Sequence, residues 1–321
     1  MEQMLISLSG RIRLWTYLSM AGWLTLNICL TNINKWLFMS YGYPYPLLVT
    51  ALHMLFTAVF GFVIIRFTPF GAAYGEGNAR LKVAPHLTPK IFILSVVSTV
   101  SIACGNIALK HLYVSFVKMI MAMTPLATVV ISKVLFGREF DQFIYLSMLP
   151  LCVGSFLCTI GEVNFSVFGF IAAFTATLLR AGRCALQGVL LKDERIDSVR
   201  LLYHICIPSF FQLGVASLVF EGGALWDPRL STSIELWTLI FLSCICAVGY
   251  NIMTFLVTYY TSPVTLQVLG NISIVLTVGL SLLIFQNEIS ILSVVGIACI
   301  VLGSIMYQEA DVARQFFHRI M

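Results

Sequence analysis

Acidic side chains are missing from the interior of the apolar runs of this chain, Glu221 standing at the end of one. Its 321 residues carry 14 Asp and Glu against 19 Lys and Arg, and charged residues make up only 10% of the whole. A soluble domain carries roughly 25%, so an ordinary water-soluble domain is excluded. The mean hydropathy of +0.95 points the same way. No run of like charges or extended basic face is present, which excludes a nucleic-acid surface despite the net charge of +5. HExxH, GxSxG and P-loop patterns are missing, as is any carboxylate pair inside an apolar run. Neither an enzyme nor a cofactor is therefore expected. None of the nine cysteines forms a CxxC pair, which reads them as small apolar residues rather than metal ligands or disulfides.

What the chain does have is long apolar runs. A helix needs about 20 such residues to cross hydrocarbon. Ten segments qualify, at roughly 15–37, 45–67, 90–110, 114–136, 143–161, 167–191, 200–221, 236–260, 264–285 and 290–308. The expected fold is an all-α membrane protein with ten transmembrane helices. One transporter domain over 15–309 lies between a cytosolic tail at 1–14 and another at 310–321. With both termini in the cytosol, Lys35, Lys110 and Arg229 are the only cations on the far side, and Lys118, Arg180 and Arg183 lie inside spans. The other thirteen face the cytosol, as the positive-inside rule requires. The first 14 residues show neither a cleavable signal nor a long transit peptide, which counts against import into a plastid.

A weak repeat runs at an offset of 149 residues. Thr128, Val129, Ser132, Phe136, Glu139, Gly154 and Ser155 match Thr277, Val278, Ser281, Phe285, Glu288, Gly303 and Ser304. The halves are expected at about 15–161 and 167–308. Five spans per half is an odd number, so the second half is expected to sit inverted relative to the first. Inverted repeats are the architecture of alternating-access carriers. Gly296 and Gly303 suit an internal helix contact or a contact between two copies equally well, so monomer and homodimer both stay open.

Charge at bilayer depth costs roughly 2.5–3.5 kcal/mol per residue on insertion scales and is normally paired or functional. Lys118, Arg180 and Arg183 find no carboxylate in the spans, so their complement is expected to be a small anionic solute. Arg180, Arg183 and Gln187 fall at i, i+3 and i+7 on the sixth span, one stripe. Guanidinium forks suit phosphate or carboxylate. Tyr250, Thr254 and Thr258 on the eighth span form a second stripe. Gln267, Asn271 and Ser273 lie on the ninth. Interhelical packing is the competing use of such groups, at about 0.6 kcal/mol each. Without intramembrane Asp or Glu, exchange against a counter-anion is favoured over proton coupling.

Several motifs resemble those of the triose-phosphate/sugar-phosphate translocator family, and they fall in order from about 20 to 310. They are Asn34-Lys35-Trp36-Leu37-Phe38, Tyr45-Pro46, Ala51-Leu52-His53-Met54, Val114-Ser115-Phe116 through Thr124-Pro125, Leu186-Gln187-Gly188 and Leu266-Gln267-Val268-Leu269-Gly270-Asn271. The stretch from Glu194 to Val199, with Leu201-Leu202-Tyr203 and Pro208-Ser209-Phe210, is similar to the E-type branch of solute carrier family 35. The resemblance implies a drug/metabolite-transporter fold in the Golgi or another internal membrane, and exchange of phosphate for phosphorylated metabolites. It places the family's sixth-helix basic residue on Arg183 and its eighth-helix tyrosine on Tyr250. The family's ninth-helix lysine falls on Ser273, with Ile274 following where an arginine can stand, and its fourth-helix lysine falls on Met121. With those two lysines replaced, a nucleotide sugar, another non-phosphate solute and a non-transporting role remain alternatives. Lys118, one turn before Met121, and the extra Arg180 are the candidate compensations.

Overall fold

The computed structural model describes residues 2–67, 82–111, 117, 120–121, 123–157, 166–285, 292, 294–296, 298–303 and 305–307, and the helical side chains of 2–13, 35, 39–40, 109–110, 155, 274–275 and 277–285 lie outside that description. The described residues are helical with short connections. In chain order the helices are α1 (Glu2–Lys35), α2 (Pro46–Phe67), α3 (Thr88–His111), α4 (Thr124–Phe136), α5 (Gln142–Leu157), α6 (Val167–Lys192), α7 (Ser198–Phe220), α8 (Ile234–Tyr260) and α9 (Pro263–Phe285). The apolar helix Val294–Tyr307 is α10.

By length and composition five helices suffice to cross a membrane: Pro46–Phe67, Pro85–Ala108, Val167–Lys192, Ser198–Phe220 and Ile234–Tyr260. Thr124–Phe136, Gln142–Gly154 and Val294–Tyr307 are shorter apolar helices. Large apolar side chains such as Val134, Phe143 and Phe211 stand exposed along them. Water would not tolerate so much apolar surface, whereas hydrocarbon does. The chain is an integral membrane protein. α1 begins well before the expected first span, at Glu2. α4 begins later than expected, at Thr124, after a turn in which the Met123 amide donates to the Ile120 carbonyl at 3.2 Å. Pro125 stands in the first turn of α4, where its missing N–H costs no intrahelical bond. Gly137 ends α4 in the left-handed conformation, at φ 60°, which costs glycine nothing.

The chain divides into two compact units, 1–99 with 186–262 and 100–185 with 263–321. Each unit thus draws on both halves of the 149-residue offset, and α3 and α6 contribute to both.

In the first unit an added Cβ at Gly61 of α2 would stand 3.2 Å from Tyr203 Cβ of α7, and one at Gly249 of α8 would stand 3.0 Å from Leu26 of α1. Small residues let these backbones approach closely, the usual device of membrane helices. Leu94 of α3, Leu190 and Leu191 of α6, and Leu201 and Ile205 of α7 share one apolar cluster. Both ends of the unit are tied by charge. At one, Lys90 and His86 meet Glu194. The hydrogen bond from Lys90 holds the Glu194 carboxyl below its ordinary range, so the carboxylate of this tie is ionised at neutral pH. At the other, Arg229 pairs with Asp227 and donates to the Gly42 carbonyl at 2.6 Å. Glu221 caps α2 there, accepting from the Leu47 and Leu48 amides at 2.8 and 3.0 Å. Those amides are orphan donors of the helix start. Glu221→Ala is expected to cost about 1–2 kcal/mol, as loss of a helix cap does, measured as a lower unfolding midpoint in detergent.

In the second unit Val129, Ile144, Met148, Leu151, Val264, Val268, Ile300 and Tyr307 form the core. It joins α4 and α5 to α9 and α10. α5 and α10 meet at their glycines. A Cβ added at Gly154 would lie 2.5 Å from the Gly296 carbonyl oxygen, and one at Gly303 would lie 2.8 Å from the Leu151 nitrogen. Gly296 and Gly303 therefore line an internal contact. Gly154 and Gly303 are also partners in the 149-residue offset.

Candidate functional site

The expected solute-binding residues fall in different units. Arg180, Arg183, Asn271 and Ser273 belong to the second, Gln187 and Tyr250 to the first. Lys118 lies outside the described residues.

In the first unit the polar stripe of α8 is used for packing. Thr254 Oγ1 accepts from Trp23 Nε1 at 2.9 Å and donates to the Tyr250 carbonyl at 2.8 Å. Thr258 accepts from Gln187 Nε2 at 3.2 Å and donates to the Thr254 carbonyl at 2.9 Å. Gln187 is 2% exposed, so its amide group is held inside the unit. His53 Nε2 and Ser243 Oγ are 3.0 Å apart, and Asn251 donates to Thr57 Oγ1 at 3.2 Å. These bonds join α1, α2, α6 and α8 as interhelical ties. Tyr250 is half-buried, with its ring 5.5 Å from Trp23. Sequence reasoning does not single out Trp23. The available signal is a tryptophan well inside an apolar run, away from the interfacial belts that tryptophan favours.

In the second unit the arginines behave differently. Both are half-buried on α6. The Nε of Arg183 is buried and has no hydrogen-bond partner among the described residues. The acceptor for Arg180 there is a thioether, Met121 Sδ, 3.8 Å from Nη1, and thioethers are weak acceptors. A buried guanidinium nitrogen left unpaired costs at least about 1–3 kcal/mol. Beside Arg183, Cys184 receives the Gln267 amide, which ties α6 to α9. Asn271 stands one turn beyond Gln267 on α9, and both Asn271 and Ser273 are buried. One hydrogen bond thus links the helix that carries Arg180 and Arg183 to the helix that carries Asn271 and Ser273. Arg180 and Arg183 share one face of α6 at a spacing of three. Two like charges three residues apart on one helix face, among apolar neighbours, are suited to an anion.

No group of three or more His, Cys, Asp or Glu suited to a metal is present among the described residues. Guanidinium groups in this arrangement suit reversible capture of an oxyanion.

Residues 14–308 match the family model described as "Triose-phosphate Transporter family". Solute carrier family 35 member E4 of Homo sapiens is 35% identical over 289 residues, covering 90% of this chain and 78% of that protein. A sugar phosphate/phosphate translocator of Arabidopsis thaliana, named as probable, is 34% identical over 310 residues, covering 93% and 96%. UDP-galactose transporter 1 of the same plant is 28% identical, covering 90% and 85%. A solved crystal structure superposes with a TM-score of 0.69 at 17% identity, covering 95% of this chain and 98% of the other. At that identity the likeness concerns the fold alone.

Proposed function

The chain belongs to the triose-phosphate transporter family, and from that premise we propose that it is an antiporter of phosphorylated or other anionic metabolites. It is a membrane transporter and not an enzyme. We further propose ten spans in two inverted halves of five, alternating access, cytosolic termini and residence in the Golgi or another internal membrane. The meeting of the offset-related Gly154 and Gly303 at one helix contact supports the repeat, because residues related by an internal two-fold naturally pack against each other's helices. The Golgi assignment rests on relatives named as nucleotide-sugar carriers.

One observation carries the anion reading: the buried Nε of Arg183 has no acceptor among the described residues. A phosphate or carboxylate oxygen supplies that acceptor. Arg183 is assigned direct contact with the solute. Arg180, Asn271 and Ser273 are its candidate neighbours in the same unit, and Tyr250, Gln187 and Lys118 are further candidates to be tested singly. A second reading is favoured by the uncharged Met121 and Ser273: the solute is a nucleotide sugar, as the name of the UDP-galactose relative says of that protein.

The test uses purified protein in proteoliposomes loaded with phosphate, and unfolding midpoints in detergent. External hexose phosphate or phosphate is expected to drive counter-exchange. A bound solute at 100 times its Kd should stabilise the fold by roughly 2.7 kcal/mol. Exchange of UDP-galactose for the nucleoside monophosphate, with no response to hexose phosphate, would select the second reading. Folded protein that responds to no anion would end both.

A further inference from the structure

We propose that Cys29 of α1 and Cys246 of α8 form a redox-active dithiol, a modification site that a low-molecular-weight disulfide such as glutathione disulfide converts to an interhelical bond locking α1 to α8. The pair lies within the first unit and does not depend on the anion site at Arg183.

α1 and α8 run antiparallel along a glycine contact. A Cβ added at Gly22 of α1 would stand 3.4 Å from Met253 Sδ of α8, and one added at Gly249 of α8 would stand 3.0 Å from Leu26 Cδ1 of α1. Position 22 thus lies opposite 253, and position 26 opposite 249. Steps of four and then three along a helix stay on one face. Three residues on from Leu26 stands Cys29, and three back from Gly249 stands Cys246. They are therefore the next facing pair on the same seam, and the two thiols are close enough to interact electrostatically. Packed helix axes lie roughly 8–10 Å apart and each Cα stands about 2.3 Å off its axis. Facing Cα atoms then come about 3.5–5.5 Å apart at the centre of a seam and somewhat farther at its rim, and a disulfide spans about 4.4–6.8 Å between them.

Exposure separates this pair from the other thiols. Cys184, Cys206 and Cys244 are buried, and among the described cysteines Cys29 alone is exposed, with Cys246 half-buried. The face on which Cys29 stands suits water better than acyl chains. Between Leu18 and Trp36 no described large apolar side chain of α1 is exposed. The exposed residues there are Ala21, Thr25, Cys29, Thr31 and Asn32, and Thr25, Cys29 and Asn32 follow one another at spacings of four and three. Water on that face matters, because a thiol must ionise before it attacks.

Both cysteines are thiols in this structure. The Cys29 thiolate attacks one sulfur of glutathione disulfide, forming a mixed disulfide and expelling one glutathione thiolate. The Cys246 thiolate then attacks the Cys29 sulfur and expels the second. Two protein thiols are oxidised to one disulfide, the low-molecular-weight disulfide is reduced to two thiols, and the two protons pass to them. The bond closes the chain from 29 to 246, and long closed loops constrain the unfolded state most.

The experiment treats the purified full chain in detergent with glutathione disulfide, then unfolds it and counts thiols by the gel shift of a polymer-linked maleimide. The wild type is expected to lose two of its nine thiols, to yield a linked Cys29–Cys246 peptide by mass spectrometry and to unfold at a higher midpoint, all reversed by dithiothreitol. Cys246→Ser is expected to stop at a glutathione adduct on Cys29, and Cys29→Ser to keep both its thiol count and its midpoint. Should a serine variant fail to fold, alanine takes its place. An unmodified Cys29 in folded wild type overturns the access that the pair needs. A glutathione adduct on Cys29 without the linked peptide overturns the facing geometry. A linked peptide with an unchanged midpoint overturns the lock between the helices.

Discussion

Arg183→Ala is expected to abolish anion exchange while leaving the protein folded and at least as stable without ligand as the wild type. The two halves of that expectation have different physical origins. A guanidinium gripping an oxyanion makes charge-assisted bonds worth about 1.5–3 kcal/mol each, so losing a fork weakens binding by a hundredfold or more. A guanidinium inside a membrane helix carries its own penalty of roughly 2.5–3.5 kcal/mol on insertion scales, and alanine removes it. In the absence of ligand nothing among the described residues compensates the Nε of Arg183. The unliganded midpoint is therefore expected to hold or rise, while the phosphate-dependent shift vanishes. A role as interhelical glue predicts the reverse, a lower unliganded midpoint with the shift retained. Arg183→Lys keeps the charge and loses the planar fork, so it should retain weak exchange. Measuring both midpoints and exchange on the same preparations decides between the two roles.

The second large effect concerns a residue with no chemistry. Gly154→Ala is expected to destabilise the protein by about 1–3 kcal/mol or more, the usual scale for overpacking. The new methyl would meet the Gly296 carbonyl oxygen at 2.5 Å, the Ile300 nitrogen at 2.7 Å and Cys299 Cβ at 2.8 Å. Backbone atoms cannot rotate aside as a side-chain tip can, so α5 and α10 must separate. Gly303→Ala is expected to act in the same direction through Leu151 and the Ser147 carbonyl. Gly182 and Gly214 are the internal controls, because nothing stands within 4 Å of a Cβ at either. Alanine there should be neutral, or stabilising by up to about 1 kcal/mol through helix propensity. Equal midpoints for Gly154→Ala and Gly214→Ala would show that α5 and α10 do not pack this tightly.

These two residues show where sequence reasoning reached and where it stopped. The arginine pair on the sixth span was legible because helical periodicity is local: positions i and i+3 share a face whatever the rest of the chain does. The family motifs, too, are short strings read in order, and residues 14–308 bear them out. The uses of the polar stripe on α8 were not legible in the same way. Tyr250, Thr254 and Thr258 share one stripe, and two of the three are held in hydrogen bonds to Trp23 and Gln187. Trp23 lies 231 residues from Thr254, and no local pattern announces such a partner. His53 likewise finds its partner, Ser243, on another helix.

The amino-acid sequence by itself determined that this is a helical membrane protein and that Arg180 and Arg183 share one face of an apolar helix. Apolar run length and charge placement are properties of the chain against its solvent, and need no knowledge of which helix meets which. Only the tertiary structure decided how each polar group is used. Gln187 and Thr254 are satisfied within one unit, the Arg183 Nε has no acceptor among the described residues of the other, and Arg180 rests on Met121. It also decided that Gly154 and Gly303 face inward at one helix contact. A hydrogen bond or a close glycine approach exists only where two backbones from distant parts of the chain come within a few ångströms, and that distance is set by the packing of all the helices in the unit together.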